Sequence, residues 1–298
     1  MMEKIVIITG PTAVGKTKLS LAVAKYFDTD IINADAMQIY QKMNIGIAKA
    51  TIEERRKIKH HFIDFLDPLN NFSIYEYQKG VRKLIIKLID NQKIPLLVGG
   101  SGLYLDSVIY DYQLKGVGRD YKFEETFQSL SNEELHLKLS KLNPSLALTI
   151  HPNNRKRVLR ALAVNDSKQN AKSKPLYNAL IIFLTDERAS LYEAINQRVD
   201  EMFNEGLLDE VESLFPDQLS TQALGAIGYK ELFRYFKGEW TLDEAKDKIK
   251  QATRNYAKRQ WTWYNKRKDV LFVPINRTNF NHTIEEVINL INSFFQKC

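Results

Sequence analysis

An α/β fold, a parallel sheet flanked by helices with an inserted helical subdomain, is predicted by three features of this 298-residue chain. First, residues 5–9 (IVIIT) are an apolar, β-branched run that ends at a glycine and opens into an amphipathic helical stretch. Second, further short apolar runs recur at 30–33 (DIIN), 94–98 (IPLLV), 178–184 (NALIIFL) and 270–274 (VLFVP), with helical periodicity between them. That alternation builds parallel sheets. Third, over residues 111–175 apolar content drops, charge rises and helical patterns dominate. Residues 1–110 and 176–298 are therefore expected to form the sheet-bearing core, and residues 111–175 the inserted helical unit.

Composition agrees. With 44% hydrophobic residues the chain can bury one large core and a smaller second one. No run approaches the length of a membrane span and the chain opens directly on a strand, so a soluble, cytoplasmic protein is expected. The one cysteine, Cys298, excludes an intrachain disulfide and a cysteine-based metal site. A formal charge of +7 favours a polyanionic partner.

The first strand leads into Gly10-x-x-x-x-Gly15-Lys16-Thr17, the full phosphate-loop pattern, which makes the core P-loop NTPase-like. Glycines allow successive N–H groups to point inward at an anion, and the following helix adds the positive end of its dipole. Lys16 reaches terminal phosphate oxygens and Thr17 offers a hydroxyl to Mg²⁺. Leu19, Val23, Ala24 and Phe27 supply the buried face of that helix. The pattern implies a bound di- or triphosphate without saying which.

The second strand ends at Asp35. Carboxyl ends of parallel strands gather functional groups, so Asp35 is placed near the phosphate loop as a proton acceptor; a helix N-cap is the other reading. His60 and His61 precede Asp64. Neighbours on a strand point to opposite faces, which favours packing at a strand edge over a metal site. Ser73 and Glu76 fit a capping box for a helix reaching about Asn91. Strand 94–98 ends at Gly99-Gly100-Ser101-Gly102, where Ser101 either caps a helix or bonds a ligand. No acid terminates this strand.

In the insert, residues 131–142 read as a helix, and 151–160 (HPNNRKRVLR) as a basic one, either phosphate-contacting or merely solvated. Beyond it, residues 188–205 place Leu191, Ile195, Val199, Met202 and Phe203 inward, with Arg198 facing either a diphosphate or a surface carboxylate. Glycines 225 and 228 suit close backbone approach or tight helix packing. Residues 251–268 carry Arg254, Lys258, Arg259 and Lys266 to Lys268 interleaved with Tyr256, Trp261, Trp263 and Tyr264, and hold no carboxylate. Such a stretch suits a phosphate backbone and unstacked bases, or an amphipathic helix with core aromatics. Residues 283–295 read as a closing helix.

Six blocks, Gly10 to Thr17, INADAMQIY at 32–40, HHFID at 60–64, LVGGSGLY at 97–104, IGYK at 227–230 and AKRQW at 257–261, resemble in order those of the bacterial-type tRNA dimethylallyltransferases (isopentenyl-adenosine tRNA transferases). The resemblance implies transfer of a dimethylallyl group from dimethylallyl diphosphate to N6 of adenosine 37 in the anticodon stem-loop of tRNA, with Mg²⁺ as cofactor. It implies that Gly10, Pro11, Thr12, Ala13, Val14, Gly15, Lys16 and Thr17, with Arg198, hold the diphosphate, that Thr17 meets the metal, and that Asp35 with Ser101 serves catalysis. The implied tRNA contacts are Asp35, Ala36, Met37, Gln38, Ser101, Lys156, Arg157, Val158, Leu159, Arg160, Gly228 and Lys230; the basic stretch adds Arg254 and Lys258. The chain departs from the pattern at Asn33 and Ala36 (commonly Ser), Ser101 (commonly Thr), Ile47 (commonly Thr) and Ala163 (commonly Glu), and the stretch after Ala163 is short. No C-terminal zinc finger is visible, and a monomer is expected. The rival readings are a P-loop small-molecule kinase using ATP, with Asp35 orienting a hydroxyl, and an RNA-binding switch without chemistry.

Overall fold

The computed structural model describes residues 2–112, 114, 121–164 and 174–296. The chain forms two compact units, one from the segments before Tyr110 and after Lys174, the other from residues 110–174.

The first unit is built on a six-stranded parallel sheet. In chain order its elements are β1 (Lys4–Thr9), α1 (Lys16–Tyr26), β2 (Ile31–Asn33), α2 (Ile52–Lys57), β3 (His60–His61), α3 (Ile74–Asp90), β4 (Leu96–Val98) and α4 (Gly102–Ile109). The second unit carries α5 (Tyr121–Glu125), α6 (Asn132–Leu142), α7 (Pro144–Ala147) and α8 (Arg155–Val164). The chain then returns with β5 (Asn178–Thr185), α9 (Arg188–Asn204), α10 (Leu207–Glu212), α11 (Tyr229–Phe236), α12 (Leu242–Tyr264), β6 (Val270–Pro274) and α13 (Phe280–Gln296).

Strand order is β3-β2-β4-β1-β5-β6. The central strand β1 pairs with β4 at Val6↔Leu96 and Ile8↔Val98, and with β5 from Lys4↔Asn178 to Thr9↔Phe183. Residues alternate between the faces of a strand, yet Ile5, Val6, Ile7 and Ile8 are all fully buried. Such a strand needs cover on both sides, which parallel sheets obtain from their crossover helices. On one face Val6, Ile8, Ile182 and Leu184 pack with Leu19 and Val23 of α1 and with Val287 and Ile291 of α13. Burying each such aliphatic side chain stabilises the fold by about 1.5–3 kcal/mol. A second core, around Tyr40, Val199, Leu207, Tyr229 and Ile249, knits α9 to α12 against the segment after β2.

Helix starts follow local chemistry. Ser73 accepts from the Glu76 N–H while Glu76 reaches back, as the spacing predicts, and the same box opens α2, α6 and α12 at Thr51, Ser131 and Thr241. The 251–268 stretch is the later half of the 23-residue α12, with Lys266 to Lys268 beyond its end. His60 and His61 form the edge strand, and His61 Nε2 lies 2.7 Å from Asp30 Oδ2, so this His is engaged in a pair beneath the sheet edge.

In the second unit the side chains of Val158 and Leu159, named above among the implied tRNA contacts, sit in the core formed by Leu135, Leu139 and Ile150, because α8 presents them on its apolar stripe. Arg155 donates to the carbonyls of Phe127 and Leu130 and so braces this unit. Lys156, Arg157 and Arg160 are exposed. The shortened stretch at 165–173 and Cys298 lie outside the described residues.

Candidate active site

Three turns meet at the carboxyl edge of the sheet, where open α/β folds place ligands. The turn after β1 holds Gly10 to Gly15. Gly15 (φ 96°) caps α1 in a conformation that β-carbons disfavour, and Ala13 (φ 64°) shares the left-handed region. Lys16 folds back on its own turn, its Nζ donating to the carbonyls of Gly10 (3.0 Å) and Pro11 (2.8 Å). Burial pushes this ammonium down to about 7, the neighbouring Arg198 guanidinium pushes the same way, and Asp35 opposes them. An anion set between Lys16 and Arg198 would favour both charges.

The turn after β2 carries Asp35. Its Oδ1 accepts from the Met37 N–H at 2.9 Å, while Oδ2 has no hydrogen-bond partner among the described residues. The carboxylate is thus oriented by one oxygen and presents the other. Asn33, where the resembling pattern has Ser, accepts from the Asp35 N–H and donates to the carbonyls of Asp35 and Phe62. The longer amide therefore ties this turn to the segment after β3. The buried Tyr77 hydroxyl donates to the Asn33 carbonyl from beneath.

The turn after β4 closes the group. Ser101 accepts from the Ala36 N–H at 3.2 Å, and its own N–H donates to the Ala34 carbonyl. The hydroxyl thus stitches two turns together. A Cβ on Gly99 would lie 2.3 Å from the Ala34 backbone, so only glycine permits this approach.

These groups line one cavity of about 320 Å³. Thr12, Asp35, Ser101, Arg198, Tyr256 and Arg259 supply its polar wall; Met37, Ile47, Val199, Met202 and Ile249 supply an apolar one. Arg198, from α9, also lines a larger neighbouring cavity of about 820 Å³ that includes Thr17 and Lys49. Asp35 and Ser101 line the smaller of these two cavities and not the larger. Burial lowers the Arg198 pKa from its ordinary value although Glu201, Glu205 and Asp35 counter it. Gly228 lines the same cavity, whereas Gln38 gives its amide N–H groups to the carbonyls of Ile47 and Ala48. Lys258 and Lys230 are exposed, Lys230 beside Glu231. Arg254 is tied to Asn196 at 2.6 Å.

Sequence reasoning missed Gln260. Buried on α12, it accepts from the Thr12 N–H at 2.9 Å and donates to the Gly100 carbonyl at 3.2 Å, bridging two of the turns. The signal was available: Ala257, Gln260 and Tyr264 share a helical face, so an amide sits on an otherwise apolar stripe. The aromatics of α12 divide. Tyr264 is core, Trp261 packs on Phe183 and Phe272, and Trp263 donates to the buried Asp106, which also holds Arg267.

A model of the family described as IPP transferase matches residues 38–267. The chain belongs to the IPP transferase family. Relatives of this chain include proteins named tRNA dimethylallyltransferase from Anoxybacillus flavithermus, 42% identical with 99% of this chain and 98% of the relative covered, and from Bacillus subtilis, 45% identical with 90% of each covered. Among solved structures, the tRNA isopentenylpyrophosphate transferase of Bacillus halodurans is 41% identical with a TM-score of 0.76, covering 98% of this chain and 96% of its own. A eukaryotic dimethylallyltransferase acting on tRNA superposes with a TM-score of 0.83 at 25% identity, covering 99% and 80%. The α/β fold of this chain is therefore that of its relatives.

Proposed function

We propose that this chain transfers a dimethylallyl group from dimethylallyl diphosphate to N6 of adenosine 37, beside the anticodon of tRNA, releasing diphosphate. The observation that carries the reading is the shared cavity: a carboxylate with one presented oxygen, Asp35, opens on the same space as Arg198 and the mouth of the glycine turn. The diphosphate lies on the N–H groups of Ala13 to Thr17 and between Lys16 and Arg198. These cations stabilise the charge that grows on the leaving oxygen as the allylic C–O bond breaks. The electron pair of that bond leaves with the diphosphate, and the exocyclic nitrogen forms the new N–C bond. Its proton passes to Asp35 Oδ2. An aryl amine is a weak base, so the carboxylate must stand within hydrogen-bond reach as attack proceeds.

Thr17 fits a Mg²⁺ ion that arrives with its diphosphate: it offers a hard oxygen facing the cavity that Arg198 also lines. Bound there, the ion would supply further charge neutralisation for the leaving group. The adenine must leave its stack to enter, which a loop nucleotide does cheaply. The exposed Lys156, Arg157 and Arg160 of the helical unit, and Lys230 and Lys258 of the core, suit its phosphates.

The test is incubation with labelled dimethylallyl diphosphate and undermodified tRNA. Labelled tRNA is expected, and Asp35→Ala should lower the rate by about 10²–10⁴-fold with tRNA binding retained. Consumption of ATP with a small hydroxyl acceptor and no labelled tRNA would overturn the reading.

A further inference from the structure

We propose that Glu210 is a positioning residue that sets the length of prenyl chain the cavity admits; this rests on the reading above. Glu210 stands on α10 and does not line the cavity. Its carboxylate accepts from three successive backbone N–H groups: Asn44 at 2.7 Å, Ile45 at 2.9 Å and Gly46 at 3.1 Å. The Tyr229 hydroxyl donates to the same carboxylate at 2.5 Å. Successive N–H groups converging on an anion make a nest, and charge-assisted bonds of this kind are the strong ones.

What the carboxylate holds is the turn at residues 44–48. Gly46, Ile47 and Ala48 line the smaller cavity, and Ile45 and Ala48 line the larger, so this turn borders both. Ala48 sits at φ 48°, a conformation costly for a residue with a β-carbon, which persists only when its surroundings over-determine it. The restraint comes from two sides. Gln38 donates to the Ile47 and Ala48 carbonyls, and Glu210 holds the preceding N–H groups. Gly46 packs against the buried Tyr229 ring, where a Cβ would fall 2.6 Å from Cε2. Glu210, Tyr229 and Gly46 thus wedge Ile47 against the cavity.

That wedge matters because the cavity measures only about 320 Å³. A ten-carbon geranyl chain doubles the apolar volume to be housed, while the reaction itself is unchanged: the C–O bond breaks, diphosphate leaves with the electron pair, the N–C bond forms and Asp35 takes the N6 proton. A firm wall rejects the longer chain; a slack one lets Ile47 withdraw.

The measurement is the ratio of kcat/KM for dimethylallyl diphosphate to that for geranyl diphosphate, with one tRNA. Apolar pockets discriminate by about 10–200-fold per methylene-sized misfit, so Glu210→Ala is expected to lower the ratio by about 10-fold or more. Glu210→Gln, which turns an amide N–H toward the nest, and Tyr229→Phe should lower it by about 3-fold, because each removes part of the anchoring. Inhibition by inorganic pyrophosphate should stay at the parental value, since the glycine turn is untouched. An equal fall for both donors, with the ratio unchanged in Glu210→Gln and Tyr229→Phe, would overturn the proposal even if Glu210→Ala fails to fold. Absence of transfer from either donor by the parent protein would instead overturn the functional reading.

Discussion

The turn after β1 and the turn after β4 are both rich in glycine and are joined by Gln260, yet only the first needs glycine for its backbone angles as well as for space. In the first, Gly15 supplies a left-handed backbone that a side chain would strain. In the second, none of Gly99, Gly100 and Gly102 has a positive φ. Each is required by space: an added Cβ would lie 2.3 Å from Ala34, 1.9 Å from Gln260 or 2.6 Å from Trp263. The difference separates two jobs. The first turn, on the reading proposed above, aims backbone groups at the diphosphate, and it keeps a lysine whose charge is held back by burial. The second commits its polar groups to the protein, and so locates Asp35 and Ser101.

If that division holds, substitutions in the first turn harm chemistry and those in the second harm the scaffold. Among substitutions in these two turns, Lys16→Met should have the largest effect, lowering kcat/KM for transfer to tRNA by about 10²–10³-fold, as loss of one cation at a developing negative charge does. Its Tm should remain at the parental value; a large fall in Tm with transfer intact would break the comparison. Gly99→Ala should act the other way, destabilising the protein by about 3 kcal/mol in denaturant unfolding, since the Ala34 backbone cannot step aside. Gln260→Leu sharpens the point by leaving the Thr12 N–H and the Gly100 carbonyl unpaired. A stability loss of about 1–3 kcal/mol is expected, with transfer slowed because both turns loosen.

The smallest effect concerns the scaffold alone. Burial pushes the Asp64 carboxyl up, but Lys49 at 2.7 Å and Arg55 at 2.7 Å outweigh it and hold it below its ordinary value. Asp30 is held down in the same way, against burial, by Lys93 and His61. A carboxyl depressed in the folded state contributes stability above its unfolded value, near about pH 4, that is lost as pH falls through the folded one. Thermal unfolding followed below about pH 4.5 should therefore show Tm falling, and Asp64→Asn should flatten part of that slope.

Local signals were the readable ones. The β1 run, the phosphate-loop spacing, the Ser73 box and the apolar face of α9 each lie within a few turns of chain, and each was legible before any coordinates. What remained hidden depends on distance. Gln260 lies 248 residues from the Thr12 N–H it accepts, and Glu210 lies 166 from Asn44. Neither partner announces the other in the sequence. Val158 and Leu159 show the converse: a basic helix still has an inner stripe, and membership of a charged run does not say which way a side chain turns. Asn33, a departure from the resembling pattern, proves to be a brace.

The position of β1 in mid-sheet has a consequence for synthesis. One of its flanks is completed by residues 96–98, but the other waits for residues 178–185, and Gly10 itself rests on Leu184. Until β5 has emerged from the ribosome, β1 has a bare hydrogen-bonding edge, a hazard for mispairing. The glycine turn that follows β1 can acquire its working shape only after the distant β5 has been made.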